Sequence, residues 1–122
     1  MKKILIVEDN EQNLYLMQYM LEKSGYSVVI AHSGEEAVIS AVQEKPDLIL
    51  MDIQLPDMDG LEVTRRIRAS EADGKIPIVA VTSFAMAGDR EKALAAGCNG
   101  YIEKPINPEN FLGEIAKYLG EA

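Results

Sequence analysis

The chain has 122 residues, of which 48% are hydrophobic and 26% are charged, values typical of one globular domain with a proper core. Twenty acidic residues against twelve basic ones give a net charge of -8, which argues against nucleic acid or an anionic membrane as a direct partner. Cys98 is the only cysteine, so an internal disulfide is excluded and a cytoplasmic location is expected. The apolar stretch after Met1-Lys2-Lys3 is too short for a signal peptide, and no other segment approaches the length of a membrane span.

Five apolar runs rich in β-branched residues alternate with segments that have the 3.6-residue period of helices. The predicted strands cover residues 3–7, 27–31, 48–51, 78–81 and 100–102. The predicted helices present, in chain order, the faces Leu14, Met17 and Leu21; Ala37, Val38, Ala41 and Val42; Leu61, Thr64, Ile67 and Arg68; Ala93, Leu94 and Gly97; and Phe111, Leu112, Ile115 and Leu119. Most of the runs are continuously apolar, as expected for strands covered by helices on both faces.

Capping residues agree with these boundaries. Ser33 and Glu36 have the spacing of a capping box at the start of the second helix. Asn107 followed by Pro108 is typical of an N-cap with proline in the first helical position. Crossovers of this length require parallel strands with right-handed connections. The sequence therefore predicts one α/β domain over residues 1–122, a doubly wound (βα)5 fold with a parallel five-stranded sheet and no effector domain.

Polar side chains follow the predicted strands at the point where each strand ends. Glu8 and Asp9 come after the first strand, and Asp52 comes after the third. Thr82 follows the fourth strand, and Lys104 lies just beyond the fifth. Because the carboxyl ends of parallel strands share one edge of the sheet, these five residues are expected to gather where ligands bind in open α/β sheets.

Three carboxylates at one edge require a counter-charge. At about 4 Å and an effective dielectric constant of about 20, one carboxylate pair costs roughly 4 kcal/mol. Mg²⁺ offsets such repulsion, since it prefers oxygen ligands and binds one or two carboxylates together with a phosphate. A plainer interpretation is a solvated acidic loop in which Asp9 and Asn10 only cap the first helix. That interpretation is weakened because Asp52, Thr82 and Lys104 are expected at the same edge of the sheet.

Five segments of the chain resemble the receiver domain of two-component response regulators. They are residues 4–10 (ILIVEDN), 46–52 (PDLILMD), 55–60 (LPDMDG), 81–83 (VTS) and 104–105 (KP). The resemblance covers the whole chain and implies a flavodoxin-like fold with the strand order 2-1-3-4-5. Residues 52–56 and 84–89 are especially similar to stand-alone cell-division and polarity regulators. They also resemble receivers attached to hybrid histidine kinases, although the start at Met1 and the missing linker favour the stand-alone type.

The resemblance implies that Asp52 is the phosphoacceptor, whose carboxylate attacks the phosphorus of a phosphohistidine or of a small acyl phosphate. Asp9 and Asp52 would bind Mg²⁺ directly, together with the backbone carbonyl of Gln54, and Mn²⁺ can substitute. Glu8 stands where the family often has an aspartate, and its longer side chain would act through a metal-bound water. The domain would catalyse its own phosphorylation and dephosphorylation without being an enzyme in the usual sense.

The remaining implied roles concern the phosphoryl oxygens and the switch. Lys104 would pair with one phosphoryl oxygen, and the family has a cis peptide at the position of Lys104–Pro105. The hydroxyl of Thr82 would bind another oxygen, and its movement would report phosphorylation. Tyr101 fits the aromatic residue that turns inward when Thr82 moves, and Phe84 is a further switch candidate beside the site.

The implied partners are proteins. A histidine kinase or a histidine phosphotransfer protein would donate the phosphoryl group, and a downstream protein would bind the face formed by the fourth helix, fifth strand and fifth helix. Neither nucleic acid nor membrane is expected as a partner, and the chain is expected to be a monomer or a weak, phosphorylation-dependent dimer. Substitution of Phe84 or Tyr101 is expected to alter partner binding while leaving phosphorylation of Asp52 intact.

Other functions compete with a working receiver. A hydrolase of the haloacid dehalogenase type also phosphorylates a strand-end aspartate, but it needs a second aspartate where Gln54 stands. A flavodoxin-like carrier of FMN wraps phosphate in a Ser/Thr/Gly-rich loop, whereas residues 8–12 are acidic and amide side chains. A binding-only pseudo-receiver should lack Asp52, Lys104 or one of the acids, and none is missing. A receiver cut from a hybrid histidine kinase stays open as an alternative.

Overall fold

The computed structural model describes residues 1–70, 76–83 and 88–121, and in these ranges five strands alternate with five helices. The elements are β1 (Lys3–Val7), α1 (Glu11–Lys23), β2 (Ser27–Ala31), α2 (Gly34–Glu44), β3 (Leu48–Asp52), α3 (Gly60–Ser70), β4 (Ile78–Thr82), α4 (Asp89–Ala96), β5 (Gly100–Glu103) and α5 (Pro108–Tyr118). Strands β3, β4 and β5 each extend one residue beyond the predicted end. The predicted switch residue Phe84 lies outside the described residues.

The five strands form one parallel sheet in the order β2-β1-β3-β4-β5. The predicted doubly wound fold and its strand order are therefore confirmed. The strand ends are level with one another, because Asp52 on β3 pairs with Val81 on β4, and Thr82 on β4 pairs with Glu103 on β5. Asp52 and Thr82 are thus the last residues of buried strands, and their backbones are held in place by pairing with the neighbouring strands.

Alternate residues of the strands point to opposite faces and build two apolar cores. On one face, α1 and α5 contribute Leu14, Met17, Leu21, Phe111 and Ile115, which pack against Ile4, Ile6, Leu48, Leu50, Val79 and Val81. On the other face, α2, α3 and α4 contribute Ala37, Ala41, Val63, Ile67 and Ala93, which pack against Leu5, Val7, Ile49, Met51, Ile78 and Ala80. At about 1.5–3 kcal/mol for each large side chain fully buried, these cores hold the strand ends in fixed register.

Side-chain caps define the helix starts, one of them by a variant of the predicted pattern. The hydroxyl of Ser33 accepts a hydrogen bond from the backbone N–H of Glu36 at 3.2 Å. The Glu36 carboxylate reaches back one residue further than in a capping box and accepts from the N–H of His32 at 2.7 Å. At α5, Asn107 caps the N–H of Glu109 at 3.0 Å, as predicted.

Two residues assigned to buried helical faces are exposed. Val42 on α2 is 55% exposed and Leu94 on α4 is 48% exposed, whereas their neighbours Ala41 and Ala93 are buried. Successive residues of a helix differ by about 100° in direction, so only one member of each adjacent apolar pair faces the sheet. Among the described residues, no helix has both the length and the apolar character needed to cross a membrane.

Candidate metal and phosphorylation centre

The five polar residues that follow the strands in the sequence all lie at the carboxyl edge of the sheet. Glu8 and Asp9 follow β1, Asp52 ends β3, Thr82 ends β4, and Lys104 follows β5 directly. Glu8, Asp52 and Thr82 are only 1%, 3% and 2% exposed, while Asp9 is exposed. Three polar side chains at this edge are therefore buried, and the carboxylate of Asp9 is accessible to solvent.

Three of these side chains are close enough to share one cation. Glu8, Asp9 and Asp52 each offer a carboxylate oxygen, and the three oxygens lie within 4.8 Å of one another. Such a separation suits a hard divalent cation with oxygen ligands. The exposure of Asp9 leaves an entry path from solvent, whereas the burial of the other two strengthens their electrostatic interactions.

Lys104 brings a positive charge into this cluster. Its Nζ lies 2.9 Å from Glu8 Oε1 and 3.3 Å from Asp52 Oδ1, and the lysine side chain is 11% exposed. Its backbone N–H donates to the carbonyl of Thr82 at 2.8 Å, and the following Lys104–Pro105 peptide is cis, as the resemblance implied. The lysine is therefore fixed at the end of the sheet and touches two of the three acids.

The excess of acids over bases in this cluster affects the protonation of Glu8. Burial raises the pKa of Glu8 to about 7, with Asp52 adding to the effect and Lys104 opposing it. Its Oε2 accepts from the backbone N–H of Asn10 at 3.2 Å. Its Oε1 is buried and faces the ammonium, yet no hydrogen bond of good geometry reaches it from the described residues. Three carboxylates against one ammonium and an oxygen of this kind fit a divalent cation such as Mg²⁺.

The loop after β3 folds back beside Asp52. The N–H of Gln54 donates to Asp52 Oδ1 at 3.1 Å, and Gln54 pairs with Asp59 in an isolated antiparallel bridge. The N–H of Gly60 donates to the carbonyl of Ile53 at 2.8 Å. A Cβ at Gly60 would collide with the backbone carbonyl of Asp52. The motif of residues 55–60 contains this glycine but predicted no role for it; its signal was its place at the first position of a helix.

Thr82 and Tyr101 line one cavity beside the acids. It has a volume of about 340 Å³, and its other lining residues are Ile53, Asp59, Leu61, Asp89, Lys92 and Ala93. Tyr101 is half-buried, and burial together with Asp89 and Glu103 raises the pKa of its phenol. The structure thus places the predicted hydroxyl and the predicted aromatic residue around a common space. Of the predicted site residues, Phe84 alone falls outside the described part of the chain.

A doubly wound α/β domain with acids, a lysine and a hydroxyl at this edge has the features of a phosphoacceptor domain. The family profile of the response regulator receiver domain matches residues 4–116. The polar-differentiation response regulators of Brucella ovis and Brucella suis are 49% identical over 121 residues, which covers 99% of this chain and 98% of theirs. The chain belongs to the response regulator receiver domain family, and the resemblance found in its motifs is confirmed.

Solved structures agree with this assignment. The receiver domain of a sensor histidine kinase from Pseudomonas aeruginosa, with a magnesium ion coordinated in its active-site cleft, is 41% identical, has a TM-score of 0.89, and covers 98% of each chain. A CheY-like response regulator receiver domain protein from Methanospirillum hungatei is 36% identical with a TM-score of 0.90, covering 99% of this chain and 95% of that one. As a receiver domain, the chain acts in two-component signalling with kinases or phosphotransfer proteins and downstream targets.

Proposed function

We propose that Asp52 is the phosphoacceptor of this domain. One oxygen of its carboxylate forms a bond to phosphorus, while the bond from phosphorus to the histidine nitrogen or acyl oxygen of the donor breaks, and the leaving group departs with that electron pair. The observation that carries the proposal is the position of Asp52: it ends a central strand, and its Oδ1 lies 3.3 Å from Lys104. The reaction is the domain's own modification rather than turnover of a separate substrate.

Glu8, Asp9 and Asp52, with the backbone carbonyl of Gln54, are the proposed ligand set for Mg²⁺, and Mn²⁺ can take its place. Glu8 acts through a water in this proposal. When bound, the metal would neutralise the acids and the developing charge on the phosphoryl oxygens. The proposal is supported by the excess of buried carboxylate over ammonium and by the magnesium ion in the cleft of the Pseudomonas aeruginosa relative.

Lys104 and Thr82 have complementary proposed roles on the phosphoryl group. Lys104 already contacts the acceptor carboxylate, so its ammonium can hold a phosphoryl oxygen once that carboxylate is phosphorylated. The hydroxyl of Thr82, buried at the end of the next strand, donates to another oxygen. Together they bind charge that appears only during and after transfer, which favours the phosphorylated state.

The proposed signalling output is a change in the protein surface around Tyr101, which lines the same cavity as Thr82. Movement of Thr82 is transmitted to Tyr101, with Phe84 as the third member of the switch. A groove of about 290 Å³ beside Tyr101 runs along α4, β5 and α5, lined also by Arg90, Ile102, Glu103, Pro105, Asn107, Asn110 and Glu114. This groove supports the proposal that a downstream protein binds the α4–β5–α5 face.

We further propose a stand-alone role in polarity and cell division; the names of the Brucella relatives describe polar differentiation. The support is that the alignment covers 98% of those relatives at 49% identity. In this proposal a histidine kinase or a phosphotransfer protein is the donor, the compartment is the cytoplasm, and the domain is a monomer or a weak dimer when phosphorylated. A receiver of a hybrid kinase is the second candidate, favoured by the 41% identity to the receiver of a sensor histidine kinase.

Incubation with acetyl phosphate and Mg²⁺, followed by intact mass spectrometry, tests the proposed acceptor. We expect one phosphoryl adduct on the wild-type protein and none on Asp52→Asn or without Mg²⁺. Asp47→Asn is a matched control, since that aspartate lies at the opposite edge of the sheet and should leave the adduct in place. An adduct on Asp52→Asn would contradict the assignment. Absence of both adduct and Mg²⁺ binding in the wild-type protein would favour a binding-only pseudo-receiver.

A further inference from the structure

The loop that carries Gln54 is closed at its base by its own residues. We define the acceptor loop as residues 53–59, between β3 and α3. The Gln54–Asp59 bridge and the hydrogen bond from the N–H of Gly60 to the carbonyl of Ile53 join its two ends. These bonds fix the shape of the loop. A third bond, from the N–H of Gln54 to Asp52 Oδ1 at 3.1 Å, also lies at the base, and none of these three contacts reaches the tip of the loop.

Asp57 joins the tip of the acceptor loop to a different element. Its Oδ1 accepts from the backbone N–H of Gly34 at 2.8 Å, and its Oδ2 accepts from the N–H of Glu35 at 3.1 Å. These are the first two N–H groups of α2, which have no partner within the helix. A carboxylate is also favoured there by the helix dipole, and the pKa of Asp57 is accordingly lowered, first by the bond from Gly34.

An apolar contact lies next to these hydrogen bonds. A Cβ placed on Gly34 would lie 2.5 Å from Cγ of Met58 and 2.7 Å from Cγ2 of Val63. Only a residue without a side chain therefore lets the tip of the loop approach α2 this closely. Asp57 and Met58, adjacent in sequence, thus hold the same junction through two different kinds of contact.

We infer that Asp57 is a positioning residue for the metal: by tying the tip of the acceptor loop to α2, it fixes where the Gln54 carbonyl lies relative to Asp52. The inference rests on the proposed role of Gln54 as a metal ligand. Asp57 is three residues from Gln54 on a loop whose base is closed, so its two bonds to α2 restrain the tip, which the bonds at the base do not reach. Groups that orient metal ligands commonly change metal affinity by roughly 10- to 100-fold.

The test compares Asp57→Ala with Ser33→Ala. Each variant removes a side-chain acceptor from the first turn of α2, but the hydrogen bond that Ser33 accepts comes from the helix itself, from the N–H of Glu36. Calorimetric titration with Mg²⁺ alone, at high ionic strength so that a distant exposed charge is screened, measures the affinity. We expect Asp57→Ala to raise the Kd for Mg²⁺ roughly 10-fold and Ser33→Ala to change it less than about twofold. Asp57→Asn, which keeps one acceptor oxygen, should fall between them.

The outcomes separate this inference from the proposed function. Equal Kd values for Asp57→Ala and wild type, or equal increases for Asp57→Ala and Ser33→Ala, would overturn the positioning role while leaving phosphorylation of Asp52 established by mass spectrometry. A wild-type protein that binds no Mg²⁺ and takes up no phosphoryl group would overturn both. If Asp57→Ala does not fold, the Asp57→Asn variant decides the question by the same measurement.

Discussion

The two edges of the sheet differ in how completely their charged side chains are paired. At the carboxyl edge, one lysine contacts two of the three clustered acids, and the pKa of Glu8 is raised to about 7 by its burial. At the amino edge, Arg68 donates to the carbonyl of Gly97 at 3.0 and 2.9 Å and to Asn99 Oδ1 at 2.7 Å. The same Asn99 oxygen accepts from the N–H of Ile78, the first residue of β4.

The contacts at the amino edge stabilise the fold, whereas the charges at the carboxyl edge favour binding of a cation. The contacts of Arg68 join α3, the end of α4 and the start of β4, with donors matched to acceptors. The carboxyl edge instead leaves an excess of buried negative charge, which is unfavourable until a cation binds.

Lys104→Met should have the largest effect on stability. It leaves Glu8 and Asp52 buried without their cation, and removal of one partner from such a cluster costs about 3–5 kcal/mol. Added Mg²⁺ should recover part of that loss, because it binds the folded state. Urea unfolding with and without Mg²⁺ measures both effects.

An exposed lysine provides the control for this measurement. Lys117→Met, on the surface of α5, should change the free energy of unfolding by less than about 0.5 kcal/mol. A loss in Lys104→Met no larger than that of the control would show that the acids are not held together by this ammonium.

The stability of the metal-free protein should fall as the pH rises from about 4.5 to about 7. Glu8 has a pKa of about 7 when folded, against 4.5 for an ordinary glutamate. Between these values the folded state keeps a proton that the unfolded state has lost, so each step up in pH favours unfolding. The shift corresponds to roughly 3 kcal/mol, measured as the change in unfolding free energy between pH 4.5 and pH 7.5.

Glu8→Gln isolates the contribution of Glu8 to this pH dependence, because the variant removes the titrating group and nearly keeps the shape of the side chain. The stability of this variant should lack the decline, and at neutral pH it should exceed that of the wild-type protein without metal. Mg²⁺ should also flatten the wild-type curve by stabilising the ionised form. A decline of the same size in Glu8→Gln would assign the effect to other groups.

Arg68→Met should cost about 2 kcal/mol, since it removes charge-assisted hydrogen bonds at the amino edge. In contrast to Lys104→Met, the loss should be the same with and without Mg²⁺, and phosphorylation by acetyl phosphate should persist. Chemical unfolding and intact mass spectrometry measure the two quantities. A change in Mg²⁺ affinity comparable to that of Asp57→Ala would show that the two edges are coupled.

Tyr26→Phe should have the smallest effect. The phenol of Tyr26 donates to Glu121 Oε1 at 2.8 Å, an exposed contact between the start of β2 and the end of the chain. Its loss should cost about 0.5 kcal/mol and leave both Mg²⁺ affinity and the adduct unchanged. A larger loss in urea unfolding would mean that this end of the chain contributes more to the amino edge than one hydrogen bond.

Several parts of the fold were predictable because their causes are local. Continuous apolar runs, helical periods and the Asn107 cap follow from residues within a few positions of one another. The exposure of Leu94 was predicted wrongly, because adjacent apolar residues compete for one helical face and only packing against the sheet selects between them. The N–H of His32 donates to the Glu36 carboxylate, whereas in the predicted capping box the donor would be the N–H of Ser33, one residue later.

The amino-acid sequence was enough to predict the alternation of strands and helices and the edge at which Glu8, Asp9, Asp52, Thr82 and Lys104 meet, because the carboxyl ends of parallel strands lie at the same edge of a sheet. How those groups interact depends on the packing of the folded chain. Packing buries Glu8, which raises its pKa although Lys104 opposes the shift, and it places Asp57 at the start of α2, 23 positions away along the chain. Such contacts depend on how layers pack at ångström distances, and no local pattern of residues specifies that packing.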